Sequence, residues 1–291
     1  MIVYLAAFET QYNNYAVKIP KDQAVFLSYY YQKQTDFTLS KLKPKGHKGK
    51  ITIDSGAHSF FELLGISVVS HSLNDKRSKM PNPYDFFEKY LTWVKEKYEL
   101  FDYFVELDLQ ELVGQDVVDG WRRRMKKAGV FDKCITVNHS YNSFDDFKKL
   151  AKASDSRYIA LEGLRKGQPI PDYNKFIKYC YENKVKVHGF ALTRGSILDY
   201  CPFYSVDSSS WTSSIRFGKI HVWDKPSLAI KTVDSNRAAF FDFNIPLSLH
   251  AKNREREISK AKLEFCAKSY IEMQAHYTRL WEKRGIRWPV N

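Results

Sequence analysis

The sequence predicts an α/β fold, a (β/α)8 TIM-like barrel with a C-terminal helical extension. Short β-branched or aromatic runs recur along the 291 residues at intervals of roughly 25–30, with helical patterns between several of them. That alternation is expected of parallel strands joined by crossover helices. Seven or eight such units favour a closed barrel over an open doubly wound sheet. No G-x-G-x-x-G follows the first strand, which counts against a dinucleotide fold.

The elements follow in order. MIVYLAAFETQ is apolar but has no basic segment before it and soon meets Glu9, so it is expected to be a first strand and not a signal peptide. Further strands are expected at AVFLSYY (24–30), ITID (51–54), YFVELD (103–108), CITVNH (134–139), RYIALE (157–162), VKVHGF (185–190) and FYSVD (203–207). Between Tyr84 and Tyr98, residues Phe86, Phe87, Tyr90, Leu91 and Val94 fall on one helical stripe. Ser143 is the expected N-cap of SFDDFKKLAKA, with Asp146 completing a weak capping box, and Asp172 the expected cap of a helix through Phe176, Ile177 and Cys180. Residues 1–250 are expected to form the barrel with basic insertions, and 251–291 one or two helices packed on it. Arg254, Arg256, Lys260, Lys262 and Lys268 there make either a solvated face or a basic one for nucleic acid.

A composition of 44% hydrophobic and 27% charged residues excludes wholesale disorder. No run of about 18 apolar residues offers a membrane span. Cys134, Cys180, Cys201 and Cys266 are far apart, which fits a reducing, cytoplasmic compartment and no disulfide framework. The excess of 46 Lys+Arg over 33 Asp+Glu, a net +13, is of no use to an enzyme of neutral metabolites but favours a polyanionic partner. The charge is clustered: Lys41, Lys43, Lys45, Lys48 and Lys50; Arg122, Arg123, Arg124, Lys126 and Lys127; Lys76, Arg77 and Lys79. Any one run reads as solvated surface; three together point to nucleic acid.

Acidic and polar residues lead out of the apolar strands: Asp54, Glu106 and Asp108, Asn138 and His139, Glu162, His188, and Asp207. One such Asp is commonly the N-cap of the next helix. A set of them at the carboxyl ends of barrel strands reads as one shared site. Clustered carboxylates suit a Mg²⁺-dependent nuclease, and equally the cleavage of a glycosidic bond, where one carboxylate attacks the anomeric carbon and the other handles the proton. Spacing leaves both open.

DSGAHSFF (54–61) resembles the DSGG-aromatic segment of tRNA-guanine transglycosylases. It is closer to the DSGAF-type segment of their shorter relatives, the phage and genomic-island DNA-guanine transglycosylases, which insert 7-deazaguanine bases into DNA. VELDLQ (105–110), TVNHS (136–140), ALEGLRKG (160–167), HGFALT (188–193) and YSVDSSSW (204–211) follow in family order, so the resemblance covers roughly residues 50–215. Only DSGA and VDSSSW are specific motifs. The resemblance implies that Asp207 attacks C1′ of a deoxyguanosine, leaving a covalent sugar ester, and that Asp54 protonates the departing guanine and then deprotonates the incoming base. It places Asp108 on the guanine N1–H and amine, with Glu106 the competitor, and Asn138 or His139 on the O6 side. The backbone at Gly163 and Leu164 would read the same edge, His58 or Phe60 would cover the base face, and Ser55, Gly56, His188 and Gly189 would complete the pocket. Gly56 and Ala57 would leave room for a flat base. Lys41–Lys50 and Arg122–Arg124 would contact phosphates. Implied partners are DNA and a 7-deazaguanine such as 7-cyano-7-deazaguanine, with no metal or redox cofactor, in the host cytoplasm for a phage-encoded protein. The target base would leave the duplex stack, at a cost of roughly a few kcal/mol.

Two features depart from the family. The tRNA enzymes carry a C-x-C-x-x-C zinc segment, whereas only Cys266 follows Asp207 here; His221, His250 and Asp224 are either an unusual zinc set or ordinary histidines and an aspartate. Glu162–Gly163 stands where family members have a Gly pair. That carboxylate would favour a cationic 7-substituent or serve as an ion-pair partner. The competing readings are a tRNA-guanine transglycosylase, a metal-dependent nuclease stopped by EDTA, and a non-catalytic DNA-binding barrel that survives loss of Asp207.

Overall fold

The computed structural model describes residues 1–63, 81–163, 172–234, 242–250 and 256–288. Eight parallel strands close into a barrel in sequence order: β1 (Ile2–Ala6), β2 (Val25–Ser28), β3 (Ile51–Asp54), β4 (Tyr103–Val105), β5 (Cys134–Asn138), β6 (Tyr158–Leu161), β7 (Lys186–Gly189) and β8 (Ser205–Ser208). β8 returns to β1 in the register Tyr4↔Asp207, and β2 pairs β3 with Ser28↔Asp54. The (β/α)8 TIM-like expectation is met. Strand alternation separates two cores. Tyr4, Phe26, Val105, Ile135, Val137, Tyr158 and Ala160 fill the barrel, while Val3, Leu5, Ile51, Ile53, Phe104, Ile159 and Val187 pack against the helices.

The helices form where their ends are satisfied. α1 (Phe8–Tyr15), α2 (Gln32–Leu42) and α3 (Ala57–Leu63) follow β1, β2 and β3. β2 stops at Ser28, short of the expected 24–30 run, because its Oγ accepts from Tyr30 N and starts a 3-10 turn. α4 (Pro83–Lys97) has Pro83 at its start and the Asn82 side chain accepting from Tyr84 N and Asp85 N. α5 (Gln110–Val113) and α6 (Gln115–Lys127) follow β4. α7 (Phe144–Ala153) has the expected Ser143 cap, which accepts from Asp146 N at 3.1 Å. α8 (Tyr173–Glu182) departs from expectation: Asp172 precedes it but makes no side-chain cap bond. α9 (Gly195–Leu198) and α10 (Ser213–Phe217) are short. A hairpin of β9 (Ile220–Asp224) and β10 (Ala229–Val233) then precedes one 28-residue helix, α11 (Arg256–Lys283).

α11 covers the β8–β1 seam. Gln274 accepts from Val3 N at 2.6 Å, Thr278 donates to Met1 O, and Leu263, Cys266, Tyr270, Met273 and Tyr277 are buried. Beyond it, Trp288 donates to Pro202 O and meets Tyr204 edge-on, over the amino end of the barrel. Among the described residues no helix is long and apolar enough to cross a membrane.

One ion pair sits inside this frame. Glu106 is fully buried between β4 and α6, accepts from Arg122 Nε and Nη2 at 2.6 Å each, and also takes the Val137 N–H. Both residues therefore leave the candidate site: Glu106 faces away from the barrel interior, and Arg122 is committed to it and to Asp119. Arg124 pairs with Glu88 over the Phe87 ring, and Lys126 with Asp155. Arg123 is exposed, and alone of the three arginines it makes no such pair among the described residues. Removing Arg122 strands a buried carboxylate. Arg122→Ala should thus cost about 3–5 kcal/mol in urea unfolding, against roughly 0.5 kcal/mol or less for Arg123→Ala. Equal losses would refute the structural role.

Candidate active site

In a parallel barrel every strand delivers its last residues to the same rim. Asp54 ends β3, Asp207 lies in β8, Asp108 follows β4, and Glu162 follows β6. They feel one another. Burial, then the Asp207 charge, pushes Asp54 up to about 6, while the Gly56 N–H and Ser28 Oγ bonded to its Oδ2 pull the other way. Asp108 is raised well above the usual carboxylate range by burial, then by Glu106 and Asp54. His58, exposed beside Asp54, opposes the rise in Asp54.

Asp207 is held differently. Its Oδ1 accepts from the Ala191 N–H at 2.9 Å and meets His188 Nε2 at 3.1 Å. Its Oδ2 makes no hydrogen bond with the described residues. His188 lies wholly buried beneath it, stacked on Phe26 (5.5 Å between centroids, 11° between planes) and edge-on to Phe190. It therefore supports Asp207 and does not reach a base. On the far wall the His139 ring stacks on Tyr141 and its Nε2 lies 3.1 Å from Gln110 Oε1. Glu162 accepts from Ser140 N at 2.9 Å and lies 3.9 Å from His139 Nδ1. Of the two roles open to Glu162, this geometry fits the ion-pair partner.

Several expected contacts are packing instead. Phe60 is fully buried, edge-on to Phe86. Gly56 has φ +86°, and an added Cβ would lie 2.7 Å from Tyr30 Cβ, so the turn and the packing require a glycine there. A Cβ on Gly189 would strike Leu192 and Phe203, and one on Gly163 the Phe190 carbonyl at 2.5 Å. Asn138 is buried, accepting from Asn142 and donating to the His139 carbonyl. Ser55 is buried and accepts from Ala57 N. Leu164, the 76–79 basic run and the His250 side chain lie outside the described residues. His221 Nδ1 contacts Tyr270 OH at 2.8 Å, and Asp224 accepts from Ser227. Among the described residues no three His, Cys, Asp or Glu side chains gather as metal ligands.

The basic run 41–50 is at the wrong end. It follows α2 and feeds the amino end of β3, tied there by Lys48 and Gly49 N–H bonds to Lys21 O, with Lys50 on Asp102 and Lys45 on Tyr12. Comparisons with family models and with curated proteins found no match.

Glu9 was missed among the candidates, although its sequence position follows the same rule: an acid just past an apolar strand. It sits in the first turn of α1, fully buried, with neither carboxylate oxygen hydrogen-bonded. Burial pushes it from 4.5 up to about 8, and Asp54 adds to the rise. A folded-state value above the unfolded one means that this stability is present below about pH 4.5 and is lost as the pH rises through about 8. Glu9→Gln should therefore melt higher than wild type at pH 8–9 and show a flatter decline from pH 5 to 8. Parallel melting curves across that range would disprove it.

Proposed function

We propose that this chain is a DNA-guanine transglycosylase that replaces guanine in DNA with a 7-deazaguanine through an Asp207–sugar ester. The carrying observation is the pair of unlike carboxylates at the barrel rim. Asp54 is raised to about 6, and Asp207 is clamped through Oδ1, with Oδ2 making no hydrogen bond to the described residues. Base exchange needs that division of labour. Asp207 Oδ2 forms a bond to C1′ as the C1′–N9 bond breaks, and Asp54 gives its proton to the departing guanine. The incoming base returns a proton to Asp54, its N9 takes C1′, and the ester opens to restore the Asp207 carboxylate. Two inversions retain the configuration at C1′.

Asp108 follows β4 at the same rim, and burial, Glu106 and Asp54 raise it above the usual carboxylate range. As a carboxylate it would accept from a guanine edge offering two adjacent donors. The net charge of +13 favours the approach of a polyanion at long range. The choice of DNA over tRNA rests on the resemblance at DSGA and the missing zinc segment.

The test is incubation with labelled guanine or a 7-deazaguanine plus DNA or tRNA, followed by nucleoside mass spectrometry. Label should enter DNA. Asp207→Asn should abolish exchange and any trapped DNA–protein adduct while the protein stays folded. Asp54→Asn should slow exchange by roughly 10²–10⁴. Label in tRNA alone moves the chain to the RNA branch. Strand scission stopped by EDTA replaces the proposal with a nuclease. Adduct retained in Asp207→Asn removes Asp207 as nucleophile.

A further inference from the structure

Behind Asp207 a line of polar groups runs down into the barrel. His188 Nε2 is 3.1 Å from Asp207 Oδ1, His188 Nδ1 is 2.7 Å from Ser205 Oγ, and Ser205 Oγ is hydrogen-bonded to Tyr158 OH. His188 and Ser205 are wholly buried, as is Tyr158. We infer that Ser205 and Tyr158 lock His188 in its Nε2–H tautomer, making all three positioning residues for Asp207; this rests on Asp207 being the nucleophile of the proposed reaction.

The direction of each bond follows from what each group can do. An ionised Asp207 only accepts, so Nε2 must carry the hydrogen facing it. Nδ1 is then a lone pair, and only the Ser205 hydroxyl can donate to it. With its hydrogen committed to Nδ1, Ser205 Oγ accepts from Tyr158 O–H. Burial raises the Tyr158 phenol well above its usual value, so it keeps that hydrogen. The opposite tautomer would set a lone pair on Nε2 against a carboxylate oxygen 3.1 Å away. The ring cannot turn to escape, being stacked on Phe26 with Phe190 and Tyr4 at its edges. The consequence is chemical. When the sugar ester opens, charge returns to the carboxylate, and part of it falls on Oδ1, where Nε2–H and the Ala191 N–H already point. Nothing need reorganise at that moment.

Two readouts test this on the full-length protein. The first is ¹⁵N NMR of ¹⁵N-histidine-labelled protein near neutral pH, with His188 assigned by the signal lost in His188→Gln. Wild type should show a protonated Nε2 and an unprotonated Nδ1, and Ser205→Ala should mix the tautomers. Tyr158→Phe, which deletes only one oxygen and so keeps the fold, should shift the same signals less. The second readout is base exchange. Ser205→Ala should lower kcat roughly 10–100-fold with little change in KM. In a His188→Gln background Ser205→Ala should have almost no effect, because a glutamine amide donates to Asp207 without a tautomer to lock. A wild-type His188 that is Nδ1–H or doubly protonated overturns the inference, as does an equal Ser205→Ala loss in both backgrounds. A locked Nε2–H tautomer in a protein that exchanges no base would leave the lock standing and fell the functional proposal instead.

Discussion

Closing eight parallel strands on themselves brings every carboxyl end to a single rim, and acids as far apart in the chain as Asp54 and Asp207 must then share one small opening. Asp54, Asp108 and Asp207 come from strands or strand ends that never adjoin in sequence, yet their charges are coupled. Burial and mutual repulsion raise Asp54 to about 6 and lift Asp108 above the usual carboxylate range. An open sheet would let the same residues diverge into solvent as ordinary helix caps. The acid–base character of the rim is therefore a property of barrel closure.

The closure in turn depends on what fills and seals the barrel. Large aromatics pack its interior, with Tyr4, Phe26 and Tyr158 standing around His188. Lys186 bonds Tyr103 OH below them, and Trp288 covers Tyr204 at the amino end. The β8–β1 seam, next to Asp207, is held from outside by α11 and from the rim by Trp211, whose indole donates to the Ala6 carbonyl at 2.8 Å. A rigid floor of this kind would hold Asp207 within the few tenths of an ångström that the proposed in-line attack requires.

The charge distribution separates long-range attraction from local structure. Arg122 and Arg124, which in sequence form the densest basic run, are consumed by Glu106 and Glu88. The lysines of 41–50 ring the rim away from the acids. The positive field of the whole molecule would favour the approach of a polyanion at long range.

The sequence by itself determined the barrel, because strand and helix periods are local and their alternation is countable. It also marked Asp54, Asp108 and Asp207 as strand-end acids, and placed the Ser143 cap. It could not say which way a residue faces when a strand ends irregularly. Glu106 and Asp108 are two residues apart, yet one turns outward to Arg122 and the other lies among the rim acids. Nor did the sequence show that a side chain at Gly56, Gly163 or Gly189 would strike Tyr30, Phe190 or Phe203. Glu9 carried the strand-end signal in sequence, but its burial, like the Ser205–Tyr158 line, was not legible there. Burial without a partner, and hydrogen bonds across 47 residues, exist only after distant strands have been brought side by side. Tertiary structure decided these because charge pairing and desolvation depend on distances through space, which separation along the chain does not encode.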